Sequence, residues 1–171
     1  EEFYKDKTEY NKLAEEYSKE IDELQSKMYA HNRYGLLIIF QAMDAAGKDS
    51  TIKHVMSGIN THGVKVFAYK RPSLNELEHD YMWRTNINLP ERGCMTIFNR
   101  SYYEEVLVVK VHPEILTTSQ LLPQEIAEDA EKVFKNRYAD IQNIEKYAHR
   151  NGIHILKLFL MIINLLNFTK I

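Results

Sequence analysis

Ile38-Ile39-Phe40-Gln41-Ala42-Met43-Asp44-Ala45-Ala46-Gly47-Lys48-Asp49-Ser50-Thr51 decides how the rest of the chain is read. The apolar run leading into it, Leu36 to Phe40, has the composition of a parallel strand buried on both faces. Small residues then turn the chain, and a helix starts at Gly47. A helix start offers unsatisfied backbone N–H groups and the positive end of the helix dipole, which together suit a phosphate. Lys48 adds a point charge able to follow a phosphoryl group in transfer. The phosphate-loop template is Gly, four residues, then Gly-Lys-Ser/Thr. Gly47-Lys48 fit it, while Ala42 stands where the first Gly belongs and Asp49 where the Mg²⁺-binding hydroxyl belongs. Ser50 and Thr51 come one and two places late. Ala at the first position is a mild departure unless that residue needs a positive φ. The plainer reading is an ordinary strand-to-helix turn with one exposed lysine.

Working outward, the stretch before the loop is charged and rich in helix formers. Leu13, Tyr17, Ile21, Leu24 and Met28 recur at three- and four-residue intervals, which predicts an amphipathic helix from Glu1 to about Asn32. Its stripe would pack on the domain or on a sister subunit. We therefore divide the chain into this helix, residues 1–33, and a core, residues 34–171. After the loop, the helix begun at Gly47 is expected to reach about Ser57, with Gly58 and Gly63 bracketing a connection. Val64 to Tyr69 alternates and is β-rich, so it reads as a second strand, ended by Lys70-Arg71-Pro72. Ser73 with Glu76 three residues on is a capping box, opening a helix through Leu77, Tyr81 and Arg84. Pro90 and Gly93 break the chain before a third strand, Cys94 to Phe98. Pro113 and Pro123 frame a loop, and Gln124 to Arg150 reads as one helix or two in succession, ended by Gly152. Ile153 to about Met161 is a fourth apolar strand.

Composition narrows the function classes. The 171 residues suit one domain with a proper core. A formal net charge of −2 gives no global pull toward nucleic acid or membrane, though it leaves room for a local basic cluster that binds a polyanion. The single cysteine, Cys94, excludes an internal disulfide framework and a cysteine zinc cage, and fits a reducing cytoplasm. No basic, apolar, small-residue leader opens the sequence. Ile153 to Phe168 is interrupted by Lys157, Asn164 and Asn167 and is too short and polar to span a membrane. The histidines show no metal-ligand spacing.

Strand and helix alternation of this kind predicts a parallel sheet with helices on both faces. Ligands of such sheets lie beyond the carboxyl ends of the strands. The first three strand ends carry Asp44 and Lys48, Lys70 and Arg71, and Asn99 and Arg100. Three independent strand ends thus deliver ionic or amide groups to one rim.

At this point the motifs match a known pattern. Phe40 to Asp49 resembles the Walker A signature of family-2 polyphosphate kinases, and Phe98-Asn99-Arg100-Ser101-Tyr102-Tyr103-Glu104 resembles their Walker B segment. His79 to Arg84, Val106 to His112, Arg137-Tyr138 with Ile141, Asn143 and Glu145, and Asn151-Gly152 with Ile155 to Leu160 are similar to further family segments in the same order. The match runs from roughly Leu24 to Leu160. It implies a three-layer αβα P-loop kinase fold of the thymidylate-kinase type. It also implies reversible Mg²⁺-dependent phosphoryl transfer between inorganic polyphosphate and AMP, ADP or ATP, with Mn²⁺ as the alternative ion. The expected assembly is a cytoplasmic homo-oligomer, dimer or tetramer, with neither nucleic acid nor membrane as partner. Asn99 with Glu104 after Tyr-Tyr resembles the subgroup that phosphorylates both AMP and ADP.

In that frame each group has an expected task. Lys48 contacts the phosphoryl oxygens, and the backbone of Ala45, Ala46, Gly47, Lys48 and Asp49 lines the cradle. Asp44 is the metal carboxylate, helped by the neutral Asn99; as a bare residue it reads equally well as a turn cap. Arg100 offers a planar fork for a phosphate, or else an ion pair with Glu104 or Glu105. Lys53, Lys70, Arg71 and Arg84 form a cationic track for a linear polyanion, though any one alone fits a solvated surface charge. Glu104 is the candidate for the acceptor or a second metal, or a simple cap. Trp83, Tyr102 and Tyr103 are read as core packing before base stacking.

The family pattern continues past the fourth strand with an arginine-bearing lid, a helical region and a last strand. Met161 to Ile171 matches none of these positions, so the expectation is a core without last strand or lid. Two alternatives stand beside the kinase reading: a catalytically impaired module that binds polyphosphate or nucleotide, and another P-loop kinase with a small-molecule acceptor.

Overall fold

The run Gly35–Ala42 forms strand β1, and its alternate side chains point to opposite sides of one sheet. The computed structural model of the chain describes residues 5–42, 47–59 and 61–160. Within it, α1 (Lys7–His31) precedes β1, and α2 (Lys48–Met56) leads to β2 (Val64–Ala68). Two short helices, α3 (Leu74–Leu77) and α4 (Trp83–Asn86), come before β3 (Met95–Asn99). Then follow α5 (Glu104–Val111), α6 (Ile115–Thr118), α7 (Gln124–Ala127), α8 (Ala130–Arg150) and β4 (Ile153–Leu160). The sheet is parallel throughout, in the order β2-β3-β1-β4.

Both faces of the sheet are covered, as the near-continuous apolar runs of β1 and β3 require. Leu37, Ile39 and Phe98 pack on one face with Tyr102 and Val106 of the α5 region and Ile141 of α8. Ile38, Phe40 and Ile97 face the other side, toward Ile52 and Met56 of α2. Neighbouring strands β1 and β3 therefore send their following helices to opposite faces. The chain ends of these two strands diverge, and a crevice opens between them.

One feature differs from the sequence reading, and two others fill in what it left open. The helix expected from Ser73 through Arg84 is two pieces, because the Asp80 carboxylate accepts from the Met82 N–H at 2.9 Å and turns the chain between them. Its capping box is present: Ser73 N–H donates to Glu76 at 2.7 Å and Glu76 N–H to the Ser73 hydroxyl at 3.3 Å. The valine-rich stretch after Tyr103 is helical, with Val106 and Val109 buried while Leu107, Val108 and Val111 face solvent. Gln124 to Arg150 is indeed broken, at Asp129, whose carboxylate caps α8 by accepting from Lys132 N–H at 3.0 Å.

Helix α1 lies beside α2 and the connection to β2. Asp6 caps it, and buried Gln25 donates to the His62 carbonyl at 2.7 Å. Its apolar stripe is covered unevenly. Leu13, Ile21 and Met28 are half-buried, whereas Tyr17 and Leu24 are 59 % and 56 % exposed.

Candidate active site

The crevice between β1 and β3 holds Lys48 and Asn99, two of the groups singled out in the sequence. Gly47 precedes α2 with φ 69°, a left-handed conformation that glycine adopts without strain. The Ser50 and Thr51 hydroxyls both turn back to the Gly47 carbonyl, at 2.6 and 3.1 Å. The first turn of α2 is thus closed by its own hydroxyls. Lys48 does not point to solvent: its side chain is 14 % exposed, and its ammonium donates to the Asn99 carbonyl oxygen at the end of β3. The Asn99 amide in turn donates to Asp49 at 2.7 Å, and the Lys48 ammonium stands 3.5 Å from the same carboxylate oxygen. The hydrogen bond from Asn99, then the Lys48 charge, hold the Asp49 carboxyl below its usual range.

Beside this triangle, Arg100 continues β3 by donating its backbone N–H to the Phe40 carbonyl at 3.0 Å. Its φ is 63°, a conformation that costs a non-glycine residue about 1–3 kcal/mol. The kink lifts its exposed guanidinium over a cavity of about 300 Å³ at the ends of β2 and β3. Lys70, Arg71 and Glu104 line that cavity with it. At the end of β1, the Gln41 amide donates to the Glu104 carboxylate in the first turn of α5. The Gln41 amide oxygen is buried, with no hydrogen-bond partner among the described residues.

The back wall of the cavity is an ion network that the sequence did not disclose. Glu105 is buried between two arginines: Arg137 at 3.3 Å and Arg84 at 3.8 Å. Arg84 also donates to the Lys70 carbonyl at 2.9 Å and lies 5.2 Å over the Tyr69 ring. Arg137 donates to Gln120 at 2.6 Å and covers Tyr81 at 4.6 Å. Burial pushes the Glu105 carboxyl up, against the pull of Gln120, Arg137 and Arg84.

These positions sort the candidates. Lys48, Asp49, Asn99, Arg100, Lys70, Arg71 and Glu104 converge on the crevice and its cavity. Arg84 borders the cavity but is buried and tethered. Lys53 sits exposed in the last turn of α2, outside that lining. Asp44, Ala45 and Ala46 lie outside the described residues. Tyr102 and Tyr103 are committed to Glu145, their hydroxyls donating to it at 3.0 and 2.7 Å.

The family model described as polyphosphate kinase 2 matches residues 4–165. The chain belongs to the polyphosphate kinase 2 family. Its curated relatives include an ADP-polyphosphate phosphotransferase of Rhodopseudomonas palustris, 51 % identical over 92 % of this chain and 54 % of the relative. An AMP/ADP-polyphosphate phosphotransferase of Meiothermus ruber is 39 % identical over 85 % of this chain and 49 % of the relative. Among solved structures, polyphosphate kinase 2 from Arthrobacter aurescens superposes with a TM-score of 0.77 at 31 % identity, covering 94 % of this chain and 53 % of that one. The chain thus spans about half the length of the curated relatives it matches. Sequence reasoning missed Glu105, Gln120 and the buried part of Arg137, because their partners lie 15 to 32 positions away in the chain. Gln41 was legible only as a motif letter, since its partner lies 63 positions away.

Proposed function

We propose that the protein carries out Mg²⁺-dependent phosphoryl transfer between inorganic polyphosphate and a nucleoside mono- or diphosphate. The observation that carries this reading is the reach of Lys48 across the β1–β3 crevice to Asn99, beside a cavity rimmed by Lys70, Arg71 and Arg100. The relatives' names support polyphosphate and adenine nucleotides as the two substrates. A polyphosphate end seated on the first turn of α2 exchanges the Asn99 contact of Lys48 for a phosphoryl oxygen. The acceptor's terminal phosphate takes the cationic cavity, with Arg100 presenting its fork between the two. The attacking group is a phosphate oxygen that is already ionised, so no general base is needed. One P–O bond forms at the transferred phosphorus while the bond to the next polyphosphate unit breaks. Catalysis is then positioning and charge stabilisation.

The oxygen donors present fit a hard cation. Asp49, Asn99 and Glu104 supply carboxylate and amide oxygens around the crevice, and no three His, Cys, Asp or Glu side chains form a cage among the described residues. That sparse set matches Mg²⁺, which keeps several waters and takes one or two protein oxygens; Mn²⁺ fits the same set. Asp44 is the other carboxylate proposed to hold it. When bound, the ion neutralises charge shared between the donor and transferred phosphoryl groups.

We further assign the protein to the cytoplasm, as a homo-oligomer. The half-covered stripe of α1 supports the second point, and the absence of a helix long and apolar enough to cross a membrane among the described residues agrees with the first. The decisive experiment incubates the purified protein with polyphosphate, Mg²⁺ and either ADP or AMP, and measures ATP or ADP formed. Turnover that disappears on chelation supports the proposal. Binding of ADP by calorimetry without turnover above blank would reduce it to a binding module.

A further inference from the structure

Gln41 and Glu104 belong to the two halves of the crevice. Gln41 is the second-last residue of β1, directly before the phosphate loop, and shares its face of the strand with Leu37 and Ile39. Glu104 opens α5 and lines the cavity that holds Lys70, Arg71 and Arg100. The amide of Gln41 donates to the carboxylate of Glu104. Its orientation is forced. Turned the other way, the amide oxygen would face a carboxylate, which accepts only; in the present direction that oxygen is buried without a partner among the described residues.

We propose that Gln41 is a positioning residue for the acceptor. It ties the Glu104 carboxylate to the strand that carries the phosphate loop, so that acceptor and donor sites keep one register. This rests on the phosphoryl-transfer reading given above, with Glu104 facing the acceptor phosphate or its metal ion. A free glutamate at the start of a helix samples several rotamers, and each of them places its charge differently relative to Arg100. The hydrogen bond from a strand in the centre of the sheet removes that freedom. A glutamine is needed because the partner is an anion and an acceptor only. A glutamate at the same place would set two carboxylates together, and one of them would have to take up a proton.

The test is a double-mutant cycle with Gln41→Met, Glu104→Gln and the pair, reading KM for ADP, KM for polyphosphate and thermal midpoint. Gln41→Met keeps the length and loses the donor. It should raise KM for ADP about ten-fold, the scale of one lost hydrogen bond to a charged group, and leave KM for polyphosphate in place. In the Glu104→Gln background it should add almost nothing. A second variant, Gln41→Glu, should recover ADP affinity as pH is lowered, where the wild type does not. Additive effects in the cycle, equal rises in both KM values, or a Gln41→Glu profile parallel to wild type would each overturn the proposal while leaving the enzyme's function intact. A wild-type protein that neither binds ADP nor transfers a phosphoryl group would remove the function and, with it, this inference.

Discussion

The Lys48 ammonium and the Asn99 carbonyl oxygen are in direct contact, so the helix that starts at the phosphate loop is latched to the end of the adjacent strand. Lys48 is thereby held mostly out of water. Lys48→Met should cut the rate of ATP formation from polyphosphate and ADP about 10²–10³-fold, the usual cost of removing one stabiliser of developing charge. Initial rates at saturating substrates test this, with the thermal midpoint as control. A variant within three-fold of wild type would show that the lysine is only a latch.

The Glu105 carboxylate, buried between Arg84 and Arg137, is the electrostatic keystone of the cavity wall. Glu105→Leu strands two guanidiniums without their counter-ion, and breaking a buried ion pair this way costs about 3–5 kcal/mol. Urea unfolding should report a loss of that size. Arg84→Met should cost less, since Arg137 still neutralises Glu105.

Phe98 is fully buried and meets the Tyr69 ring edge-on at 5.1 Å. Its removal leaves a void between the central sheet and the α5 face. Phe98→Ala should destabilise by about 3–5 kcal/mol, read from the denaturation midpoint at unchanged slope.

Alkali should unfold the protein cooperatively. Burial pushes the Tyr69 hydroxyl up to about 12, and burial also raises Tyr81, Tyr102 and Tyr103. For an acid whose folded pKa is raised, the unfolded chain releases its proton first. Stability from these groups is therefore complete below about pH 10 and falls as pH rises through the range where only the unfolded state ionises. Absorbance at 295 nm should show Tyr69, Tyr81, Tyr102 and Tyr103 ionising only with loss of the fold. Ionisation of these four without unfolding would contradict the burial.

The sequence was most legible where a residue's neighbours in space are its neighbours in the chain. The strand before Gln41, the Gly47-Lys48 turn and the Ser73–Glu76 capping box are local, and all three are present as read. It was least legible where packing outweighs propensity. Val106 to Val111 has the composition of a strand, yet α5 is helical because Val106 and Val109, three residues apart, both reach the core. The site divides the same way. Lys48, Asn99 and Arg100 could be placed at strand ends by counting. That Arg84 is tied to Glu105 while Lys70 stays exposed follows from three-dimensional packing, which spacing cannot reveal.

The backbone of Arg100 carries a consequence for anyone who mutates this protein at random. A library screened for heat resistance alone would reward glycine or asparagine there, because both accept the left-handed conformation more readily than arginine. The winners would be hardier and, under the proposed function, poorer at handling phosphate. Codon 100 is therefore one to hold fixed, and a survey of tolerated replacements should find its fitness ranking reversed between a folding reporter and a phosphotransfer assay.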